Sequence, residues 1–93
     1  MPDERVKRQL RDARKRAAKI LESSHYSIVY PSGFAFDIIG MRKREQRFVR
    51  IVIGKPDEHD VRVMQEVDTA HPLICAKEIW AWMDGCFDIQ DVE

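Results

Sequence analysis

Two apolar runs, separated by a short charged turn, constrain the fold of this chain most strongly. Residues 37–41 read DIIGM, residues 47–54 read RFVRIVIG, and the five residues between them read RKREQ. Branched apolar residues favour strands, and a connection this short favours an antiparallel hairpin. We therefore predict neighbouring strands over about 34–41 and 47–53. The uninterrupted apolar residues 51–53 indicate that the second strand is covered on both faces.

The flanking segments predict the remaining elements. Apolar residues recur at helical spacing over residues 3–23, namely Val6, Leu10, Ala13, Ala17, Ile20 and Leu21. Residues 25–30 are β-rich and end at a proline, and a second helix starts at the acidic residues that follow Lys55. For the last segment, residues 77–84 are open to two interpretations. We favour a hairpin around the dipeptide DG over a short helix that Gly85 ends.

The predicted fold is a single small α/β domain of mixed α+β type over residues 1–93, in the order α-β-β-β-α-β-β. A central mixed sheet is expected between helices. The composition, 44% hydrophobic and 34% charged, is that of a folded protein. No apolar run reaches the length of a membrane span and the first residues do not resemble a signal peptide, so we expect a cytoplasmic location and no membrane partner. A turn at DG would also keep Cys75 too far from Cys86 for a disulfide.

The net charge of zero hides an uneven distribution. Residues 1–50 carry a net charge of +7 and residues 51–93 a net charge of −7. Such asymmetry is typical of an anion-binding face, and it is also what a basic helix lying on the acidic part of its own fold, or on a second copy, would produce. The cations that we predict to contact DNA or RNA are Arg11 and Lys15 of the first helix and Arg42, Lys43, Arg44 and Arg47 of the charged turn.

The central stretch also carries a family resemblance. The first predicted strand of the hairpin carries an acidic residue after a Ser/Gly turn (YPSGFAFDII). A charged turn follows, then a strand that ends in lysine (FVRIVIGK), and then a helix. This arrangement, over roughly residues 15–85, resembles the PD-(D/E)XK nuclease-like superfamily, and within it the small archaeal resolvase-like nucleases. The resemblance implies a restriction-endonuclease-like fold. It also implies that Asp37 is a catalytic, metal-binding carboxylate and that Lys55 is the catalytic lysine.

The sequence departs from that family pattern at one position that the chemistry needs. The second carboxylate of the motif falls on Ile53. Mg²⁺ requires several oxygen ligands in near-octahedral geometry, and a single carboxylate supplies too few. The family sometimes takes this carboxylate from the next helix, where Glu58 or Asp57 could supply it.

Three functions therefore remain open from the sequence. We favour a degenerate nuclease-like domain that needs no cofactor and binds nucleic acid or another protein. The first alternative is a Mg²⁺-dependent DNA endonuclease or resolvase that uses Asp37, Lys55 and Glu58. The second alternative is a structural homodimer, in which the basic and acidic halves satisfy each other.

Overall fold

The computed structural model describes residues 4–33, 35–67 and 74–92. Within them lie two helices and five strands in the predicted order α-β-β-β-α-β-β. The elements are α1 (Glu4–Ser23), β1 (Ser27–Val29), β2 (Ile38–Arg42), β3 (Glu45–Ile53), α2 (Glu58–Gln65), β4 (Ile74–Met83) and β5 (Cys86–Val92). Our interpretation of residues 77–84 as part of a hairpin is confirmed. Neither described helix is both long and apolar enough to cross a membrane.

The strands form one mixed sheet in the order β1-β2-β3-β4-β5. β3 and β4 are parallel over nine residue pairs and lie at its centre, whereas every other neighbouring pair is antiparallel. The predicted pairing of DIIGM with FVRIVIG is therefore confirmed. The turn is shorter than predicted, because Arg42 pairs with Glu45 and leaves only Lys43 and Arg44 between the strands.

One helix covers each face of the sheet. Strand side chains alternate between the faces, so Trp80 packs in the cluster under α1 and the adjacent Ile79 packs in the cluster under α2. Both side chains are fully buried. The prediction that the apolar run at residues 51–53 is covered on both faces agrees with this arrangement, since Ile51 belongs to the first cluster and Val52 borders the second.

Helix α1 buries alanines and one leucine against the sheet. Ala13, Ala17 and Leu21 are almost completely buried, and alanine brings the helix backbone close to the strands. Only part of the predicted apolar stripe of α1 is buried against the sheet. Val6 is 42% exposed and Ile20 is 46% exposed, and all residues from 4 to 9 are exposed. The first turns of α1 therefore run beyond the part of the sheet that buries the helix.

Helix α1 ends in a Schellman motif. The N–H of Tyr26 donates to the carbonyl of Leu21, and the N–H of His25 donates to the carbonyl of Glu22. His25 has a φ of 69°, at the position where glycine is usual because it has no Cβ to clash. The chain therefore reverses toward β1 at the cost of backbone strain at His25.

We expect His25→Gly to stabilise the domain. Glycine relieves the left-handed strain but costs entropy in the unfolded chain, which leaves a net gain of about 0.5–1 kcal/mol. Urea unfolding measures this change. Glu22→Gly is the matched control inside the last helical turn, and we expect it to lower stability by a similar amount. A loss of stability in His25→Gly would show that the imidazole makes a contact worth more than the strain.

Candidate nucleic-acid interface

The outward face of α1 carries a continuous row of positive charge. Arg8, Arg11, Lys15 and Lys19 recur at spacings of three and four, which places them on one side of the helix. All four are exposed, and none forms an ion pair within the part of the chain that the structure describes. We call these four residues the α1 cation row. It includes Arg11 and Lys15, both of which the sequence analysis selected.

The β2–β3 turn lies beside the C-terminal end of α1. The Arg42 guanidinium donates to the Ser24 carbonyl at 2.9 Å, which ties the base of the turn to the end of the helix. Lys43 and Arg44 at its tip are exposed. The tip and the α1 cation row therefore lie near each other, at the helix end where Lys19 stands.

The Arg42 guanidinium contacts neighbouring groups of the fold. Its guanidinium lies 2.7 Å from the Glu45 carboxylate and over the ring of Tyr26. The hydrogen bond from Arg42 holds the pKa of the Glu45 carboxyl below its usual value, and the Tyr26 hydroxyl adds to that effect. The same hydrogen bond raises the pKa of Arg42. Arg42 thus positions the turn, while Lys43 and Arg44 are exposed and form no ion pair with another described residue.

Arg47, which we had grouped with the turn cations, lies in a buried cluster. Its guanidinium donates twice to Glu78 Oε1, at 2.9 and 2.7 Å, and the indole N–H of Trp80 donates to the same oxygen at 3.0 Å. The side chain of Glu78 is 9% exposed and that of Arg47 is 23% exposed. Glu78 was not among the predicted site residues, although its alternation with Trp80 and Trp82 places all three on one face of the strand.

Asp37 binds groups of its own fold. One carboxylate oxygen accepts from Arg14 of α1, with an ion-pair distance of 2.8 Å, and the other accepts from the backbone N–H of Ile51 at 2.8 Å. Its own N–H donates to the Val49 carbonyl. Asp37 therefore joins α1 to the start of β2 and the middle of β3. A metal ion at this carboxylate would have to compete with the Arg14 guanidinium.

The other two predicted catalytic residues meet in a shallow cleft at the start of α2. Lys55 and Glu58 line this cleft of about 500 Å³ together with Gln90 of β5, and Asp37 is not among the described residues that line it. Ile53 borders the apolar cluster under α1. Among the described residues, no group of three or more His, Cys, Asp or Glu side chains is arranged to hold a metal ion. His71, which the sequence favours as a surface or cap residue and not as a metal ligand, lies outside the described residues.

The acidic start of α2 is a helix cap. Asp57 accepts from the N–H of Asp60, and Asp60 accepts from the N–H of Asp57, which together form a capping box. The hydrogen bond from the Asp60 N–H holds the pKa of the Asp57 carboxyl below its usual value. Asp60 also forms an ion pair with Arg50 of β3 at 2.9 Å. Glu58 is exposed beside this cap.

Comparison of the chain with models of protein families and with characterised proteins found no match. The resemblance to the PD-(D/E)XK superfamily therefore stays a prediction from the sequence.

We expect Glu78→Gln to lower the free energy of unfolding by about 2–3 kcal/mol. The substitution leaves a half-buried guanidinium without its counter-charge, and breaking one side of such a pair is costly. Urea unfolding measures the loss. The double variant Arg47→Met, Glu78→Leu serves as the control, because it removes both charges and should recover part of the loss. Parent-like stability of Glu78→Gln would show that this cluster does not hold β3 to β4.

Proposed function

We propose that this domain binds nucleic acid through the α1 cation row and the tip of the β2–β3 turn. The observation that carries the proposal is the exposure of Arg8, Arg11, Lys15 and Lys19 on one helix face, without ion-pair partners among the described residues. A helix of eight Lys/Arg against three Asp/Glu costs repulsion in the free protein. Phosphates would relieve this repulsion.

The proposed contact is to the phosphate backbone and not to base edges. Lysine and arginine on an exposed helix face neutralise phosphates and release condensed counterions, which favours binding without sequence preference. The acidic second half of the chain would repel nucleic acid, so binding should be modest, with a Kd of about 10⁻⁴–10⁻⁶ M at physiological salt.

We propose further that the domain does not cleave what it binds, as expected of a degenerate nuclease-like domain. Asp37 is held by Arg14 and by the Ile51 N–H, and an isoleucine occupies the place of the second carboxylate. The alternative, a Mg²⁺-dependent nuclease, is supported by the cleft that Lys55 and Glu58 share. Cleavage of branched or linear DNA in Mg²⁺ that both Asp37→Ala and Glu58→Ala abolish would favour that alternative.

The binding proposal is tested by fluorescence anisotropy with labelled duplex DNA across a salt series. We expect Arg11→Gln, Lys15→Gln to reduce the slope of log K against log salt by about 2, because each neutralised phosphate contributes about 0.9. Lys55→Gln, Arg62→Gln is the matched control, since it removes the same charge from exposed positions on the α2 side. Its slope should equal that of the parent. Equal losses in both variants, or no binding at low salt, would contradict the proposed interface.

A further inference from the structure

The outer edge of β5 carries backbone groups without partners on the described part of the chain. β5 is the last strand of the sheet. Asp84 and Gly85 both have positive φ, and the Met83–Cys86 pair closes this two-residue turn, as in a type I′ hairpin. Hydrogen-bonded pairs alternate along an antiparallel ladder, starting from the closing pair. The N–H and C=O groups of Phe87, Ile89 and Asp91 therefore point away from β4.

This edge lacks proline and lysine, two of the features that normally prevent strand pairing, and its only charged residues are the aspartates Asp88 and Asp91. Natural edge strands are kept short, or carry proline or lysine. The opposite edge strand, β1, has three residues and is followed closely by Pro31. β5 has seven residues, CFDIQDV, with neither proline nor lysine. The two edges of the sheet thus differ in how open they are to a further strand.

Apolar side chains are exposed beside the open edge. Ile89 is 45% exposed, and Ile20 of α1 is 46% exposed. Both line a groove of about 480 Å³ between α1 and β5, together with Trp82 and Phe87. Arg16 and Lys19 line the same groove. An apolar floor next to unpaired backbone groups is suited to an added strand with apolar side chains on one face.

We propose that the occupant of this edge is β5 of a second copy of the chain, paired antiparallel with Ile89 opposite Ile89. This register follows from the backbone directions. Ile89 is the central residue of β5, and its N–H and C=O point outward, so the two copies form a hydrogen-bonded pair about a two-fold axis. The same register places Phe87 of each copy opposite Asp91 of the other, with no like charges directly opposed.

Charge complementarity supports a second copy as the occupant. Asp91 pairs with Glu78 across β4 and β5, so its side chain projects to the face that α1 covers. In the proposed register, Asp91 of the second copy lies beside Phe87, which lines the groove together with Arg16 and Lys19. Each copy thus brings one carboxylate toward Arg16 of the other, a cation outside the α1 cation row. This contact between copies would account for part of the charge difference between the basic half, residues 1–50, and the acidic half, residues 51–93.

The result would be a continuous ten-stranded sheet with both α1 helices on one face. A two-fold axis perpendicular to the sheet places both α1 helices on the same face, so one ligand could contact two cation rows.

The pairing does not depend on nucleic-acid binding, because its determinants are the β5 edge and the groove. Burial of further surface in a dimer would also raise the stability of a 93-residue chain, since a small domain buries a low fraction of its surface when it folds alone.

The first test is sedimentation equilibrium of the full chain without nucleic acid. We expect a species of about twice 10.9 kDa. Ile89→Lys places two like charges directly opposite each other at the two-fold axis and should raise the dimer Kd about tenfold or more. Val29→Lys is the matched control, because Val29 lies in the other edge strand and is 41% exposed. A monomer at all concentrations, or a dimer that Ile89→Lys leaves unchanged, would overturn the proposal.

The second test does not depend on how well Ile89→Lys folds. Facing residues of a hydrogen-bonded antiparallel pair have Cα atoms about 5.5 Å apart, which is within disulfide range. Ile89→Cys in a Cys75→Ser, Cys86→Ser background should therefore form a covalent dimer under mild oxidation. Val29→Cys in the same background should stay a monomer. Equal crosslinking of the two variants, or none in Ile89→Cys, would contradict the proposed register.

Discussion

The parallel pairing of β3 with β4 is the constraint on which the rest of the structure depends. These are the two longest strands, they run side by side over nine residue pairs, and helices cover both of their faces. A parallel pair cannot be joined by a tight turn, so the chain must cross over between the strands, and α2 lies in that connection. The pair also places Arg47 and Glu78 close enough to form a buried ion pair beneath α1.

The cations discussed above divide into two groups by their contacts. Four of them, Arg14, Arg42, Arg47 and Arg50, form ion pairs that join separate segments of the described fold. The four residues of the α1 cation row and the turn-tip residues Lys43 and Arg44 form none among the described residues. The first group explains part of the charge asymmetry, since Arg47 and Arg50 of the basic half pair with Glu78 and Asp60 of the acidic half. Under the proposed function, the second group is the charge that contacts nucleic acid.

The sequence predicted the order of elements because each strand and helix carries its own periodic pattern. The central hairpin and the DG turn followed from branched residues and turn chemistry. Long-range partners could not be predicted in the same way. Nothing in the local sequence of Arg47 distinguishes it from Lys43, yet one side chain is half-buried against Glu78 and the other is exposed. That difference arises only when β4 lies beside β3. The exposure of Val6 likewise depends on where the sheet ends beneath α1, which periodicity does not encode.

We propose that the cations without ion pairs in the described fold face nucleic acid, while Asp37, at a position of the nuclease motif, stabilises the fold. Amide chemical shifts of ¹⁵N-labelled protein, followed by NMR during titration with duplex DNA at low salt, test this claim directly because each residue reports separately. We expect the largest shifts on residues 8–19 of α1 and on Lys43 and Arg44, with little change from Lys55 to Arg62. Shifts centred on Lys55 and Glu58 would contradict it and would place the ligand in the cleft at the start of α2.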